Sequence, residues 1–373
     1  GHCSPSAAMT AKNSKFATMI DGVFSGNLDF EKIKNLLLLD DEKQIKQLLD
    51  KARTTRDNTI GNKVYLRGLI EYSNRCAKNC FYCGIRAGNT HAVRYQVDDD
   101  EVLEAAQYAL KHKYGSIVLQ SGERSDKEFT SHISSLIQKI HHATGNNLRI
   151  TLSCGEQKEE VYREWYRLGV QRYLLRIEAS NPELYAKLHP SDHSFENRVK
   201  CLKTLVDIGF QTGTGVMIGL PFQTIDDLAN DLIFIRNSGV VMVGMGPYIE
   251  HAETPLYQYR DSLLPVEKRM DLALKMIAIL RLMRPTINIA STTALQTLDA
   301  HGRELGLRAG ANVIMPNITP VSFKQEYNLY EGKPGLHDEP DEVENTIEKL
   351  IISAGCEVGW SEWGDSKFYS KKS

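Results

Sequence analysis

The chain has almost no surplus of charge. Its 45 Lys and Arg residues face 47 Asp and Glu, leaving a net −2 over 373 residues. That balance excludes the basic footprint of a nucleic-acid binder. No apolar run is long enough to cross a bilayer, since the most apolar segments, 240–248 and 272–283, are short or broken by charge. The seven cysteines form no regular disulfide framework. No secretory signal pattern is visible, so a reducing cytoplasm is the expected compartment. Internal repeats beyond the strand–helix units described below and low-complexity blocks are missing too. So are a G-x-S-x-G nucleophile elbow and any His/Asp/Glu triplet spaced like a metal hydrolase. Acid–base equipment this thin suits chemistry carried by a cofactor.

What is present is alternation. From residue 64 onward, short β-rich runs alternate with longer amphipathic stretches. The pattern predicts strands at 64–73, 115–121, 148–154, 172–179, 210–219, 240–248, 287–294 and 312–318. Helices are expected between them, at 99–113, 127–143, 159–168, 195–208, 224–238 and 266–282. Eight such units predict an α/β fold, a parallel (β/α)8 barrel of the TIM type. An open doubly wound sheet is the competing architecture, but no G-x-G-x-x-G opens a helix after the first strand. The expected organisation is a tag remnant or disordered terminus at 1–12, a helical N-terminal extension at 13–58, the barrel at 59–325, and a C-terminal extension at 326–373. That last part starts turn-rich around 332–340 and continues into a helix at 341–354.

Chemistry in such a barrel collects at the C-terminal strand ends. After the first strand come Cys76, Cys80 and Cys83 in a C-x3-C-x2-C cluster. A structural zinc site needs four ligands, for which His91 would be the nearest addition. A four-iron cubane on three thiolates instead keeps one iron open for a small molecule. Strand two ends in the polar turn Gln120-Ser121-Gly122-Glu123, and strand three carries Thr151 and Cys154. In strand four the period of two places Arg172, Leu174, Arg176 and Glu178 on one face. Those charges read either as an internal ion network or as an anion-binding wall. Gly213, Gly215 and Gly219 in strand five mark a close approach of ligand or backbone. Met245, Thr292, Thr293 and Met315 fall at later strand ends, and Tyr327 follows in the next loop. Cys201 and Cys356 read as small buried residues.

Six stretches resemble one family in order: Ile70 to Gly84, Val118 to Glu123, Arg172 to Glu178, Ser194 to Arg198, Gly219 to Asp227 and Gly310 to Asn317. The chain resembles the HydE-type maturases of [FeFe]-hydrogenase, in the biotin synthase-like branch of the radical S-adenosylmethionine (SAM) superfamily. The resemblance implies one [4Fe–4S] cluster on Cys76, Cys80 and Cys83, with SAM on the open iron. It places Tyr82 by the adenine and Gln120 and Ser121 along the SAM site. Glu178 and Arg198 would engage SAM's polar groups, and Met245 would lie near the adenosine. Thr151, Arg172, Arg176, Thr292, Thr293, Met315 and Tyr327 would line a deep cavity, with Arg172 and Arg176 as carboxylate anchors.

The implied substrate is a small sulfur-containing carboxylate or an iron–cysteine complex, whose sulfur the 5′-deoxyadenosyl radical attacks. A ferredoxin or flavodoxin-like electron donor and partner hydrogenase maturases would complete the system. Some members hold a second cluster after strand eight. Residues 332–353 contain no cysteine, so one cluster is expected. The family pattern assigns Cys154 no role. The neighbouring possibility is a radical SAM amino-acid mutase or synthase of the methylornithine synthase type.

Overall fold

The computed structural model describes residues 29–338 and 340–369. The expected tag remnant and the first part of the helical extension, 13–28, lie outside the described residues. Among the described residues, two helices, Phe30–Leu37 and Glu42–Ile60, precede the first strand. Each starts where an aspartate accepts a first-turn N–H: Asp29 from Lys32 and Asp41 from Gln44, both at 2.9 Å. Their apolar faces pack on the long helix Val266–Met283.

Ten strands follow. They are β1 (Lys63–Ser73), β2 (Ser116–Ser121), β3 (Arg149–Ser153), β4 (Arg172–Leu174), β5 (Gln211–Thr214), β6 (Met217–Ile218), β7 (Met242–Pro247), β8 (Asn288–Ser291), β9 (Val313–Ile314) and β10 (Glu357–Val358). Pairing runs β1-β2-β3-β4-β5-β7-β8-β9, all parallel, and β9 returns to β1 through Tyr65–Val313 and Leu66–Ile314. Eight strands therefore close into a (β/α)8 barrel, as the alternation predicts. The intervening helices begin and end within two residues of expectation. Their ends are written locally: Asp126, Ser194 and Thr224 are N-caps, and Gly145 and Gly209 take left-handed C-terminal positions.

Four strands differ from expectation. The seventh ends at Ser291 rather than 294 and the eighth at Ile314 rather than 318. Next to the cysteine-bearing mouth, the fourth stops at Leu174 rather than 179, and the fifth breaks between Thr214 and Met217. Arg176 is the reason. Its guanidinium donates to the carbonyls of Gly244 (2.5 Å) and Val216 (3.1 Å), so a side chain replaces ladder bonds there. Gly215 makes this possible, because a Cβ there would lie 2.0 Å from the Gly244 oxygen and 2.8 Å from the Arg176 guanidinium.

The C-terminal extension divides between the two ends of the barrel. Residues 326–333 cover the mouth. Further on, β10 pairs in parallel with the first two residues of β1, Lys63 and Val64, and the tail then runs beneath the barrel. There Asp365 meets Arg172 (2.5 Å) and Gln211 (2.7 Å), and the Gly364 oxygen accepts from Asn288 (2.8 Å). These contacts form the barrel floor.

Candidate active site

The cysteine loop is stitched to the mouth by backbone bonds to the segments that follow three different strands. Ala77 N–H donates to Glu123 (2.8 Å), Phe81 to Leu188 (2.9 Å) and Gly84 to Leu329 (3.0 Å). Cys76, Cys80 and Cys83 are free and half-buried. The Glu123 N–H donates to the Cys76 sulfur at 3.3 Å. Burial raises all three thiol pKa values, Cys80 to about 12, and for Cys83 the neighbouring thiols add to it. Thiols so placed become ligands only where a metal supplies compensating positive charge. Among the described residues, no three His, Cys, Asp or Glu side chains are arranged to hold a single metal ion. His91, the candidate fourth zinc ligand, is exposed and sits 2.8 Å from Glu253. Three separate thiols on one loop fit a cluster in which each takes its own iron.

Tyr82 stands between two of these cysteines, its hydroxyl 3.2 Å from His189 Nε2. His189 Nδ1 is 2.8 Å from the Tyr185 carbonyl, which can only accept. Nδ1 therefore carries the proton, and Nε2 accepts from Tyr82. Burial pushes the imidazole down to about 3, so this neutral form persists. Nearby, Arg198 lies 3.2 Å from Glu123 and 2.8 Å from Glu156, while Lys78 is 3.3 and 3.5 Å from the same carboxylates. Burial opposes the Arg198 charge, but the two glutamates hold it firmly protonated. This network binds the cysteine loop to the helix Phe195–Ile208. Glu156 and Lys78 escaped sequence reasoning, because surface-like charges carry no motif.

Deeper in, Arg176 and Glu178 form a bidentate pair at 2.7 and 2.9 Å. The ion-network reading of strand four thus holds for this pair. Glu178 adopts φ +63, a left-handed conformation, while still bridging to Val216 through its N–H on the Gly215 carbonyl (3.0 Å) and its carbonyl on the Met217 N–H (3.0 Å). Gln120 donates to the Tyr327 hydroxyl at 3.1 Å, and the Ser121 hydroxyl donates to the Gly122 carbonyl at 2.8 Å. Thr151 and Met315 meet around an interior cavity of about 20 Å³ with Met242 and Gly244. The Thr151 hydroxyl is buried without a partner. Thr292 donates to the Met245 carbonyl (3.3 Å), and Thr293 accepts from Arg303 (2.5 Å). Glu71, Tyr330 and Lys333 also reach this region and were not anticipated.

Two expected assignments are corrected. Arg172 does not face the chamber mouth. Fully buried, it is committed to Asp365 and the Trp363 carbonyl at the floor. Met245 is also fully buried, within the main apolar core. Its neighbours Gly244 and Gly246 take the inward positions of β7, toward Arg176 and Thr292, so the methionine points into the helical layer.

The radical SAM superfamily model matches residues 70–235. The [FeFe] hydrogenase maturase subunit HydE of Thermotoga maritima is 42% identical over 339 residues, covering 90% of this chain and 93% of the relative. The chain belongs to the HydE family of radical SAM enzymes. It is also similar to 3-methylornithine synthase of Methanosarcina barkeri, at 25% identity over 91% of this chain and 93% of the relative. The crystal structure of methylornithine synthase (PylB) shares the fold, with a TM-score of 0.79 and 24% identity over 92% of this chain and 98% of that one. As a radical SAM enzyme of the HydE family, the chain works with a [4Fe–4S] cluster and SAM. Among the described residues, no helix is long and apolar enough to span a membrane.

Proposed function

We propose that the chain is a cytoplasmic [FeFe]-hydrogenase maturase that modifies a small sulfur-containing substrate carrying a carboxylate, in the form of an amino acid or an iron–cysteine complex. The carrying observation is the juxtaposition of three unpaired thiols at the barrel mouth with the Arg176–Glu178 pair beneath them. Cys76, Cys80 and Cys83 hold one cluster; Tyr82, Gln120, Ser121, Glu178 and Arg198 hold SAM. When bound, these groups supply a 5′-deoxyadenosyl radical, given one electron from a ferredoxin or flavodoxin-like donor. Arg176 takes the substrate carboxylate, a match of planar fork to planar anion. Thr151, Thr292, Thr293, Met315 and Tyr327 wall the chamber and exclude water from the reacting sulfur. Partner maturases supply and consume the substrate, as expected for one step of a cofactor assembly line.

A second reading, amino-acid rearrangement of the methylornithine synthase type, is favoured by the similarity over nearly the whole chain. Anaerobic reconstitution followed by turnover with SAM and both substrate classes separates the two. An adenosylated sulfur product is the expected result. Free 5′-deoxyadenosine with a rearranged amino acid would overturn the maturase reading.

A further inference from the structure

We propose that Lys333 is a positioning residue: paired with Glu71, it locks loop 326–333 over the barrel mouth and sets Tyr327 against Gln120 as the roof of the chamber. Lys333 and Glu71 form an ion pair with side chains only 7% and 2% exposed. Glu71 sits on β1, where Asn317 donates to its other carboxylate oxygen at 3.0 Å. The Lys333 ammonium also donates to the Tyr327 carbonyl at 3.1 Å and stands 5.3 Å from the Tyr327 ring. One buried cation thus grips both the barrel wall and the residue that closes the chamber. A buried ion pair is a weak source of net stability, because desolvation consumes the Coulombic gain. Its use here is to fix one arrangement of a loop that has no regular structure of its own.

The loop's other ties make that arrangement matter. Asn74 donates to the Glu326 carbonyl (2.7 Å), and the Gly84 N–H donates to Leu329 (3.0 Å). Gly84 directly follows Cys83, so the roof and the cysteine loop share an edge. Gly332 at φ +68 supplies the turn that brings Lys333 back inward. Tyr330, on the same loop, lies within the fields of Arg176, Arg303 and Glu71. An unlatched roof would therefore loosen two tyrosines over the chamber at once.

The latch is argued from geometry, and only its catalytic consequence rests on the proposed function. Hydrogen exchange of the apo-protein, read by mass spectrometry over 326–333, tests the latch without cofactor. Lys333→Met should cut protection there on the order of a hundredfold, the scale set by orphaning a buried charge, and Lys333→Arg should restore most of it. The double variant Lys333→Met/Glu71→Leu removes both charges, so it remains informative where the single variant fails to fold. It should still lose protection at 326–333. Wild-type protection in Lys333→Met and in the double variant overturns the latch. In the reconstituted enzyme, Lys333→Met should raise free 5′-deoxyadenosine relative to sulfur product and raise KM more than it lowers kcat. Lost protection with unchanged coupling and KM overturns the positioning role. Absence of sulfur product from the wild type overturns the proposed substrate class instead, leaving exchange to decide the latch.

Discussion

Asp365→Ala should destabilise the protein without touching its chemistry, because Asp365 answers a fully buried guanidinium. Arg172 is 0% exposed, and its Nε and Nη1 have no hydrogen-bond partner, so Asp365 and the Trp363 carbonyl carry its whole neutralisation. Orphaning one member of a buried pair costs about 3–5 kcal/mol. Asp365 is 28% exposed, which points to the lower end, about 3 kcal/mol. An unfolding entropy of about 2.1 cal/mol/K per residue makes the total roughly 0.8 kcal/mol/K for this chain, so the midpoint should fall by about 4 °C. Burial alone would raise the Asp365 pKa, but Arg172, Gln211 and Arg149 hold it below its ordinary value. A depressed folded-state pKa gives stability that is present above the unfolded value of 3.8 and lost as pH falls through the folded one. The alanine variant should therefore lose its deficit in strong acid. Differential scanning calorimetry of the apo-protein against pH measures both effects. Arg172→Met/Asp365→Leu should recover most of the loss, since apolar replacements of buried pairs are tolerated. An unchanged melting temperature in Asp365→Ala, or weakened substrate binding at unchanged stability, would refute the floor assignment of Arg172.

Arg176→Ala should leave SAM cleavage measurable while weakening binding of the carboxylate-bearing substrate by about 2 kcal/mol, roughly thirtyfold; equal substrate affinity by equilibrium dialysis would remove Arg176 from the anchor role. Alanine at Cys76, Cys80 or Cys83 should each abolish iron retention after anaerobic reconstitution, and full iron content in any of them would exclude that residue as a ligand. Asp231 is buried beneath the Glu178 turn, accepting from the Ser180 N–H and hydroxyl, and burial lifts its pKa to about 7. The folded state then holds a proton that the unfolded chain releases, so this group makes stability fall as pH rises from about 4 to 7. Asp231→Asn should flatten that slope in urea midpoints measured across the range; an unaltered slope would show that Asp231 does not titrate there.

Helix limits were legible to within two residues because their signals are local. An aspartate or serine at an N-cap and a glycine at a C-terminus act within one turn of chain. The outcome for strand four shows where such reading stops. Alternation correctly placed Arg172 and Arg176 on one face, but four residues at about 3.3 Å each separate them by roughly 13 Å along the barrel. Face is a local property, whereas height depends on where the strand enters the ladder. Met245 was misassigned for the complementary reason: the glycines on either side of it hold the inward positions, and their lack of a side chain hides the face from an apolar pattern.

The cysteine loop, the repeated strand–helix units and the caps are short-range features, so the barrel and the cluster-binding cysteines can be read from the linear chain. Tertiary structure alone decided which charges serve the chamber. Arg172 is taken by a tail carboxylate 193 residues away, and Glu71 is met by a lysine 262 residues away. Ion pairs over such separations leave no periodic trace in a sequence. They exist because desolvated charges must find partners once the chain has closed around them.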